Sequence, residues 1–182
     1  MADISTESKL LWLDLEMTGL NPDTDLILEV ALILTDFDFS PIVSYEAIVK
    51  HDIAKVKELI SENDWYQKFP INLEKFTSEN KESVYSNLIE ENILTLIDQH
   101  AKDQVVYIAG NSIYSDRKFI AKFWPLLDKR LHYRLLDVSS FKIIMAEKYK
   151  LEFEKNNQHR AMSDIENSIA ELKYYLTKFK NI

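Results

Sequence analysis

Cysteine is absent from this chain of 182 residues. Disulfide bonds and thiolate metal sites are therefore excluded, and a reducing cytoplasm is the compartment that fits best. The first residues, MADISTESK, lack a basic start followed by an apolar run, so we predict no signal peptide. The longest apolar stretch, LILEVALIL, contains Glu29 and is too short to span a bilayer, so no membrane contact is expected.

Positive charge is also in short supply. The chain has 22 Lys and Arg residues against 30 Asp and Glu residues, a formal net charge of −8. Proteins that grip long nucleic-acid duplexes usually present much basic surface, so any nucleic-acid contact here should be short and local, or carried by bound cations. Simple solubility is the alternative explanation of this acidic balance.

Glycine occurs only at Gly19 and Gly110, and each follows a strand-like run. We find no repeat, low-complexity tract or linker, and the length favours one domain over residues 1–182. With 46% hydrophobic and 29% charged residues, the chain can bury a substantial core, and disorder is not expected.

Hydrophobic periodicity predicts an α/β fold. Three strands with short connections should form an antiparallel meander, and later strands joined by helices should run parallel to the first, giving a mixed five-stranded sheet flanked by helices. The predicted strands are residues 10–16, 26–37, 41–49, 105–110 and 135–138. The predicted helices are one or two within 53–69, then 80–100, 115–127, 139–149 and 163–179.

Two acids interrupt the first strand, in the segment WLDLEMTGL. Asp14 and Glu16 are two residues apart and should project from the same face of the strand. Two carboxylates about 4 Å apart repel by roughly 4 kcal/mol at an effective dielectric constant of about 20, so they need a counter-charge, a shared proton or solvent. A divalent cation would supply the counter-charge, whereas the alternative is an edge strand whose acids face water.

Two further segments carry isolated acids next to predicted helices. Asp116 lies near the first turn of the helix that follows a buried strand, where a capping acid is the alternative explanation. Asp164 is expected to open the last helix, with Ser163 as its cap and His159 on a loop just before it. The alternative there is a capped helix preceded by a solvated histidine.

Taken together, the segments predict a metal centre. Strand ends and strand-to-helix junctions can meet at one edge of a sheet, and four carboxylates would balance the charge of two Mg²⁺ or Mn²⁺ ions. Oxygen ligands suit these hard cations. Zinc is disfavoured because there is no cysteine and the four histidines are scattered. The four acids are Asp14, Glu16, Asp116 and Asp164.

These motifs carry a family resemblance. D-x-E in LDLEMTGL, the isolated Asp in GNSIYSDRKF and H-x-A-x-x-D in HRAMSD resemble the DEDDh 3′→5′ exonucleases, which have a ribonuclease H-like fold. The longer segments WLDLEMTGLNPDTDLILEVALILTD, AGNSIYSDRKFI and LHYRLLDVSSFK are similar to the oligoribonuclease family in particular. The resemblance extends from Leu11 to about Tyr175.

The resemblance implies a chemistry and a substrate. That family degrades short RNA oligomers, notably dinucleotides, to nucleoside 5′-monophosphates, which implies an enzyme whose partner is single-stranded RNA of roughly two to five nucleotides. It implies that the four acids bind two divalent cations and that His159 is the general base. It also implies a homodimer, with no obligate protein partner.

Six substrate-binding residues follow from the resemblance alone. Leu20 would act as a wedge between the two bases and Trp65 as an aromatic base contact, while Tyr133 would reach in from the other subunit. Packing in the core or at the dimer interface is the alternative for both aromatic residues. The residues implied to hold the 5′ phosphate of the substrate are Ser112, Arg134 and Ser139.

The sequence departs from the family pattern around the base contact. Pro70 stands where the family often has a histidine, and the small-residue and glycine segment that usually follows is absent. Tyr114 and Ser115 replace a frequent glycine and glutamine. Two rival functions are an exonuclease acting on longer single strands and a non-catalytic scaffold. A scaffold should have lost one of the four acids or His159, and all five are present.

Overall fold

The computed structural model describes residues 8–61, 63–68, 70–77, 82–154 and 161–179. The strands are β1 Lys9–Met17, β2 Ile27–Thr35, β3 Pro41–Ile48, β4 Val106–Gly110 and β5 Leu135–Asp137. The helices are α1 Ile53–Ile60, α2 Asp64–Lys68, α3 Pro70–Thr77, α4 Ser86–Ala101, α5 Tyr114–Phe123, α6 Pro125–Arg130, α7 Val138–Tyr149 and α8 Ala161–Phe179.

The strands form one mixed sheet in the order β3-β2-β1-β4-β5. β1, β2 and β3 pair antiparallel, whereas β4 runs parallel to β1 and β5 runs parallel to β4. The predicted fold class is therefore confirmed. Because β1 is the central strand, the interpretation of its acids as exposed on a sheet edge is wrong.

Alternation along β1 directs its residues into two layers. Leu11, Leu13 and Leu15 enter the larger hydrophobic core, which also contains residues of α4, α5 and α6. Leu10 and Trp12 enter a second core with residues of α8. Since side chains alternate along a strand, Asp14 and Glu16 share the face that α8 covers. The sheet thus carries its two acids toward the last helix.

Three helix boundaries differ from those predicted. The helix expected over 115–127 is two helices, because Pro125 cannot continue a helical hydrogen-bond ladder and instead begins α6. The helix expected from 80 begins at Ser86, and Val84 forms a parallel bridge with Val49. The last helix begins at Ala161, so the prediction that Asp164 opens it and Ser163 caps it is wrong.

The segment after α2 adds a helix that the sequence patterns did not predict. Residues 70–77 form α3, which starts at Pro70, a favoured first helical residue because proline has no N–H to leave unpaired.

Along the described parts of the chain, no helix has both the length and the apolar character needed to cross a membrane.

Candidate functional site

Three of the predicted metal ligands converge on one point. Asp14 and Glu16 project from β1, and Asp164 lies in the first turn of α8, which packs against the same face of the sheet. Each contributes a carboxylate oxygen, and these oxygens all lie within 4.8 Å of one another. The pairing register of β1 with β2 shifts between Glu16 and Met17, directly after the second acid, and irregularities of this kind often redirect side chains at functional sites.

Asp116 stands beside this group rather than within it. Its side chain is 6% exposed, and its Oδ1 accepts a hydrogen bond from the backbone N–H of Leu15, 3.0 Å away. β4 delivers this residue, because Gly110 ends the strand that runs parallel to β1 and α5 follows within four residues. A side chain at Gly110 would meet the carbonyl oxygen of Leu13 at 2.9 Å, so only glycine permits this close approach of the two strands.

Burial and mutual repulsion disfavour negative charge on the acids. Burial, and then the neighbouring carboxylates, raises the pKa of Asp14 well above its usual range. Burial followed by the charge of Glu29 raises the pKa of Glu16 to about 8. Burial raises the pKa of Asp116 to about 7. The site therefore has more carboxylate than its surroundings can neutralise, which is the property expected of a site that binds cations.

The donor set fits a hard divalent cation. Carboxylate oxygens are the preferred ligands of Mg²⁺ and Mn²⁺, and the three converging oxygens are close enough to share an ion. The predicted general base, His159, lies outside the described residues.

The two serines implied to hold a phosphate are brought together. Ser112 Oγ and Ser139 Oγ lie 3.2 Å apart at the junctions that follow β4 and β5. The backbone N–H of Ser112 donates to Ser139 Oγ at 2.9 Å and to Asp137 Oδ1 at 3.0 Å. Ser112 has a φ of 53°, a left-handed conformation that is uncommon outside glycine and is found disproportionately at functional sites.

A partly buried polar network connects this serine pair to the helix that carries Asp164. Asn111 Oδ1 accepts from Ser139 Oγ at 3.3 Å, and Asn111 Nδ2 donates to Glu171 Oε2 at 3.1 Å. The fully buried Glu171 also accepts from the hydroxyl of Tyr175 at 2.9 Å. α8 therefore orients both the acid cluster and the serine pair.

Leu20 lies on a tightly closed loop after β1 and is 72% exposed. Asp25 closes the loop, accepting from Thr18 Oγ1 at 3.0 Å and from the backbone N–H of Asn21 at 2.9 Å. A Cβ atom at Gly19 would lie 2.6 Å from the Asp25 carboxylate oxygens, so a side chain there would displace Asp25 from the hydrogen bonds that close the loop. The loop thus presents an apolar side chain to solvent near the acid-bearing strand.

Trp65 lies on α2, which is fastened to the end of β1. The hydroxyl of Tyr66 donates to the carbonyl oxygen of Met17 at 2.6 Å, and Asn63 Nδ2 donates to that of Thr18 at 2.9 Å. Trp65 is only partly buried and packs edge-on against Tyr66 at a centroid distance of 4.8 Å. This position is consistent with both the base contact and the packing interpretation.

Tyr133 and Arg134 lie together on the segment between α6 and β5. The guanidinium carbon of Arg134 lies 4.8 Å from the centroid of the Tyr133 ring. Tyr133 is 70% exposed, and its ring is tilted by 32° against that of His132, with 4.4 Å between the centroids. An exposed aromatic side chain of this kind is available to a partner or a ligand.

Sequence reasoning missed one acid of this region. Glu29 lies directly opposite Glu16 in the β1–β2 pairing and forms an ion pair with Lys75. The available signal was its place inside the apolar run LILEVALIL, because a charged residue in a buried strand requires a partner.

Comparison with known proteins identifies the family. A family model described as exonuclease matches residues 11–172. A protein of Francisella tularensis subsp. novicida named oligoribonuclease is 37% identical over 98% of this chain and 100% of that protein. An oligoribonuclease of Nitrosomonas europaea is 36% identical over 96% of this chain and 97% of that protein.

Solved structures show the same fold at low sequence identity. An Escherichia coli exonuclease I crystallised with single-stranded DNA and zinc has a TM-score of 0.66 at 16% identity, and a product-bound exonuclease I has a TM-score of 0.64 at 15% identity. Each match covers 94% of this chain, which spans only 41% and 44% of those longer proteins.

Proposed function

We propose, starting from the fact that the chain belongs to the oligoribonuclease family and is a 3′→5′ exoribonuclease, that it degrades RNA of a few nucleotides, especially dinucleotides, to nucleoside 5′-monophosphates. The observation that carries this proposal is the convergence of Asp14, Glu16 and Asp164, whose carboxylate oxygens lie within 4.8 Å of one another. We also propose that residues 1–182 act as a single exonuclease domain. A cytoplasmic location remains a prediction.

In this proposal Asp14, Glu16, Asp116 and Asp164 hold two divalent cations, Mg²⁺ or Mn²⁺. Such ions would supply positive charge to neutralise the phosphate as it reacts. The chain itself contributes the fixed positions of the acids, since β1 and α8 are packed through a hydrophobic core and cannot drift apart without opening it. The hydrogen bond from the Leu15 N–H to Asp116 Oδ1 would fix this carboxylate beside the other three acids.

His159 is the proposed general base. An imidazole has an unperturbed pKa near 6.5, so at neutral pH it can accept the proton of the attacking water and later release it to solvent. This role rests on the H-x-A-x-x-D motif that the chain shares with the family.

The preference for short substrates would come from the two ends of the site. Ser112, Ser139 and Arg134 would bind the 5′ phosphate, since two hydroxyls and a guanidinium can all donate hydrogen bonds to it. A phosphate bound at this end of the site would leave no path for a longer RNA chain. Leu20 and Trp65 would contact the bases without reading their sequence. Tyr133, being exposed, would complete the pocket of a second subunit in a homodimer.

The experiment that tests the proposal compares substrate lengths. Purified protein is incubated with 5′-labelled RNA dinucleotide, trinucleotide and a strand of about 20 nucleotides, with and without Mg²⁺. We expect Mg²⁺-dependent release of nucleoside 5′-monophosphate, fastest from the dinucleotide. Comparable rates on the dinucleotide and the long strand would favour a general single-strand exonuclease, and inactivity on all three would favour a scaffold.

A further inference from the structure

A fifth carboxylate lies on the acid-bearing face of the sheet, on the strand next to β1. Glu29 is only 5% exposed, and it faces Glu16 across the antiparallel pair of β1 and β2. Directly opposed residues project from the same side of a sheet, so Glu29 shares the acid-bearing face. Ala31 and Ile33, which alternate with Glu29 along β2, pack in the core beneath α8 and confirm that assignment.

Lys75 supplies the opposite charge. Its Nζ lies 2.6 Å from Glu29 Oε1, and both side chains are largely removed from solvent. The ammonium group also lies over the ring of Phe76, 5.1 Å from its centroid, which restricts its position. The second carboxylate oxygen, Glu29 Oε2, is buried and has no hydrogen-bond partner among the described residues. One oxygen of Glu29 is thus held, and the other is available to any cation within reach.

The charge of the centre makes this pairing consequential. Four proposed ligand carboxylates balance two divalent cations, and the Glu29–Lys75 pair adds no net charge to that sum. Without the lysine, a fifth buried carboxylate would be uncompensated beside Glu16, and hard cations recruit any carboxylate oxygen that can reach them. A buried charge that loses its partner is strongly unfavourable, so it would seek a cation.

We propose that Lys75 is a positioning residue of the metal centre, because its ion pair with Glu29 prevents this fifth carboxylate from joining Asp14, Glu16 and Asp164 as a cation ligand. The inference rests on the proposed function. It also assigns a role to α3, the helix in the segment where the sequence departs from the family pattern.

The test measures Mn²⁺ affinity and turnover in the full chain with Lys75→Met. Freed Glu29 should tighten Mn²⁺ binding by about threefold or more, since carboxylate count sets the affinity of such sites. The kcat on an RNA dinucleotide should fall about 10- to 100-fold, because a fifth carboxylate ligand would draw the cations away from the positions that the other four acids set, and changes around the ligands of a metal site typically cost this much activity. Damage to the fold would instead lower both the Mn²⁺ affinity and the kcat. A higher affinity together with a lower kcat therefore distinguishes a positioning role from a structural one.

A double variant completes the test. Glu29→Gln combined with Lys75→Met removes both charges and should return Mn²⁺ affinity and kcat to within about threefold of the original protein, and Lys75→Arg should also stay close to it. The control is Lys122→Met, which removes a lysine from an exposed ion pair with Asp23 and should change neither quantity.

Three results would overturn the inference. The first is Lys75→Met with unchanged Mn²⁺ affinity and kcat, and the second is weaker Mn²⁺ binding in the folded variant. If Lys75→Met does not fold, Glu29→Gln is compared with the double variant Glu29→Gln/Lys75→Met. The third overturning result is a difference in Mn²⁺ affinity or kcat between these two proteins, because the lysine would then act on something other than Glu29. If instead the original protein neither binds Mn²⁺ nor cleaves RNA, the proposed function itself fails.

Discussion

The acid cluster and the substrate-contacting positions are built in opposite ways. Asp14, Glu16 and Asp116 extend from the central strand or the helix beside it, and burial raises the pKa of each. Leu20 and Tyr133, in contrast, lie on connections and are mostly exposed. The hydrophobic core therefore fixes the proposed reacting groups, at a cost in folding stability, whereas the residues proposed to contact the substrate can be substituted without disturbing the sheet.

Asp14→Asn, which removes one acid of the cluster, should have the largest effect on activity. Loss of a central cation ligand should reduce dinucleotide hydrolysis by about 10³-fold or more, because cation stabilisation of phosphate charge is worth several kcal/mol. The metal-free variant should nonetheless unfold at the same or a higher temperature at pH 8, since one buried negative charge is gone. Rate assays and thermal unfolding check both expectations.

Asp98→Asn is the matched control for that change, because Asp98 lies on the exposed side of α4, where its Oδ1 is 4.0 Å from Arg130 Nε in a long ion pair. Substantial activity in Asp14→Asn would contradict the proposed ligand role.

His159→Ala should have the next largest effect, a loss of about 10²- to 10⁴-fold in kcat at neutral pH, the usual contribution of a general base. Mn²⁺ affinity should change little, because the histidine is not a proposed ligand. Raising the pH should recover part of the rate by supplying hydroxide. His100→Ala, on the exposed end of α4, is the control. An unchanged rate at neutral pH would be incompatible with the base role.

Ser139→Ala tests the proposed contact with the 5′ phosphate of the substrate. It should reduce the preference for a 5′-phosphorylated over an unphosphorylated dinucleotide by about tenfold, the value of one hydrogen bond to a charged group. The effect should be on KM, with kcat for the unphosphorylated substrate preserved. The exposed neighbour Ser140→Ala should keep the full preference. Equal losses on both substrates would place Ser139 outside the phosphate contact.

The smallest effect concerns the metal-free protein alone. A carboxyl group whose pKa is higher in the folded than in the unfolded state binds more protons when folded, so its contribution to stability falls as pH rises between the two values. For Glu16 this window runs from about 4.5 to about 8. The melting temperature without metal should therefore decline by a few degrees from pH 5 to pH 8, and Mn²⁺ should reverse the decline.

A melting temperature that rises across this range would contradict the burial of the acids. Asp14→Asn should show a shallower decline, because it removes a carboxyl group whose own pKa is raised in the folded state.

The fold was largely predictable because its strands and helices follow regular hydrophobic periods. The mixed sheet, the meander and the parallel strands were all expected from the spacing of apolar residues and the lengths of the connections. The errors occur where one local contact overrides a pattern. Pro125 divides an otherwise regular helix, and Val84 leaves its helical period to bridge Val49.

The site was predictable to the extent that its residues lie in short motifs. D-x-E alternation places Asp14 and Glu16 on one face, and the structure brings Asp164 to them. Glu29 and Lys75 are 46 residues apart, so no local spacing could indicate their ion pair. The link between Asn111 and Glu171 was hidden for the same reason, because it depends on how α8 crosses the sheet.

Calorimetric titration of the protein with Mn²⁺ at neutral pH, in two buffers of different ionisation enthalpy, tests the central claim most directly. We expect two ions per chain and release of protons on binding, because carboxyl groups with raised pKa values must become charged to bind the metal. Absence of Mn²⁺ binding, or binding unaffected by Asp14→Asn, would contradict the account of these carboxylates as the metal centre of the enzyme.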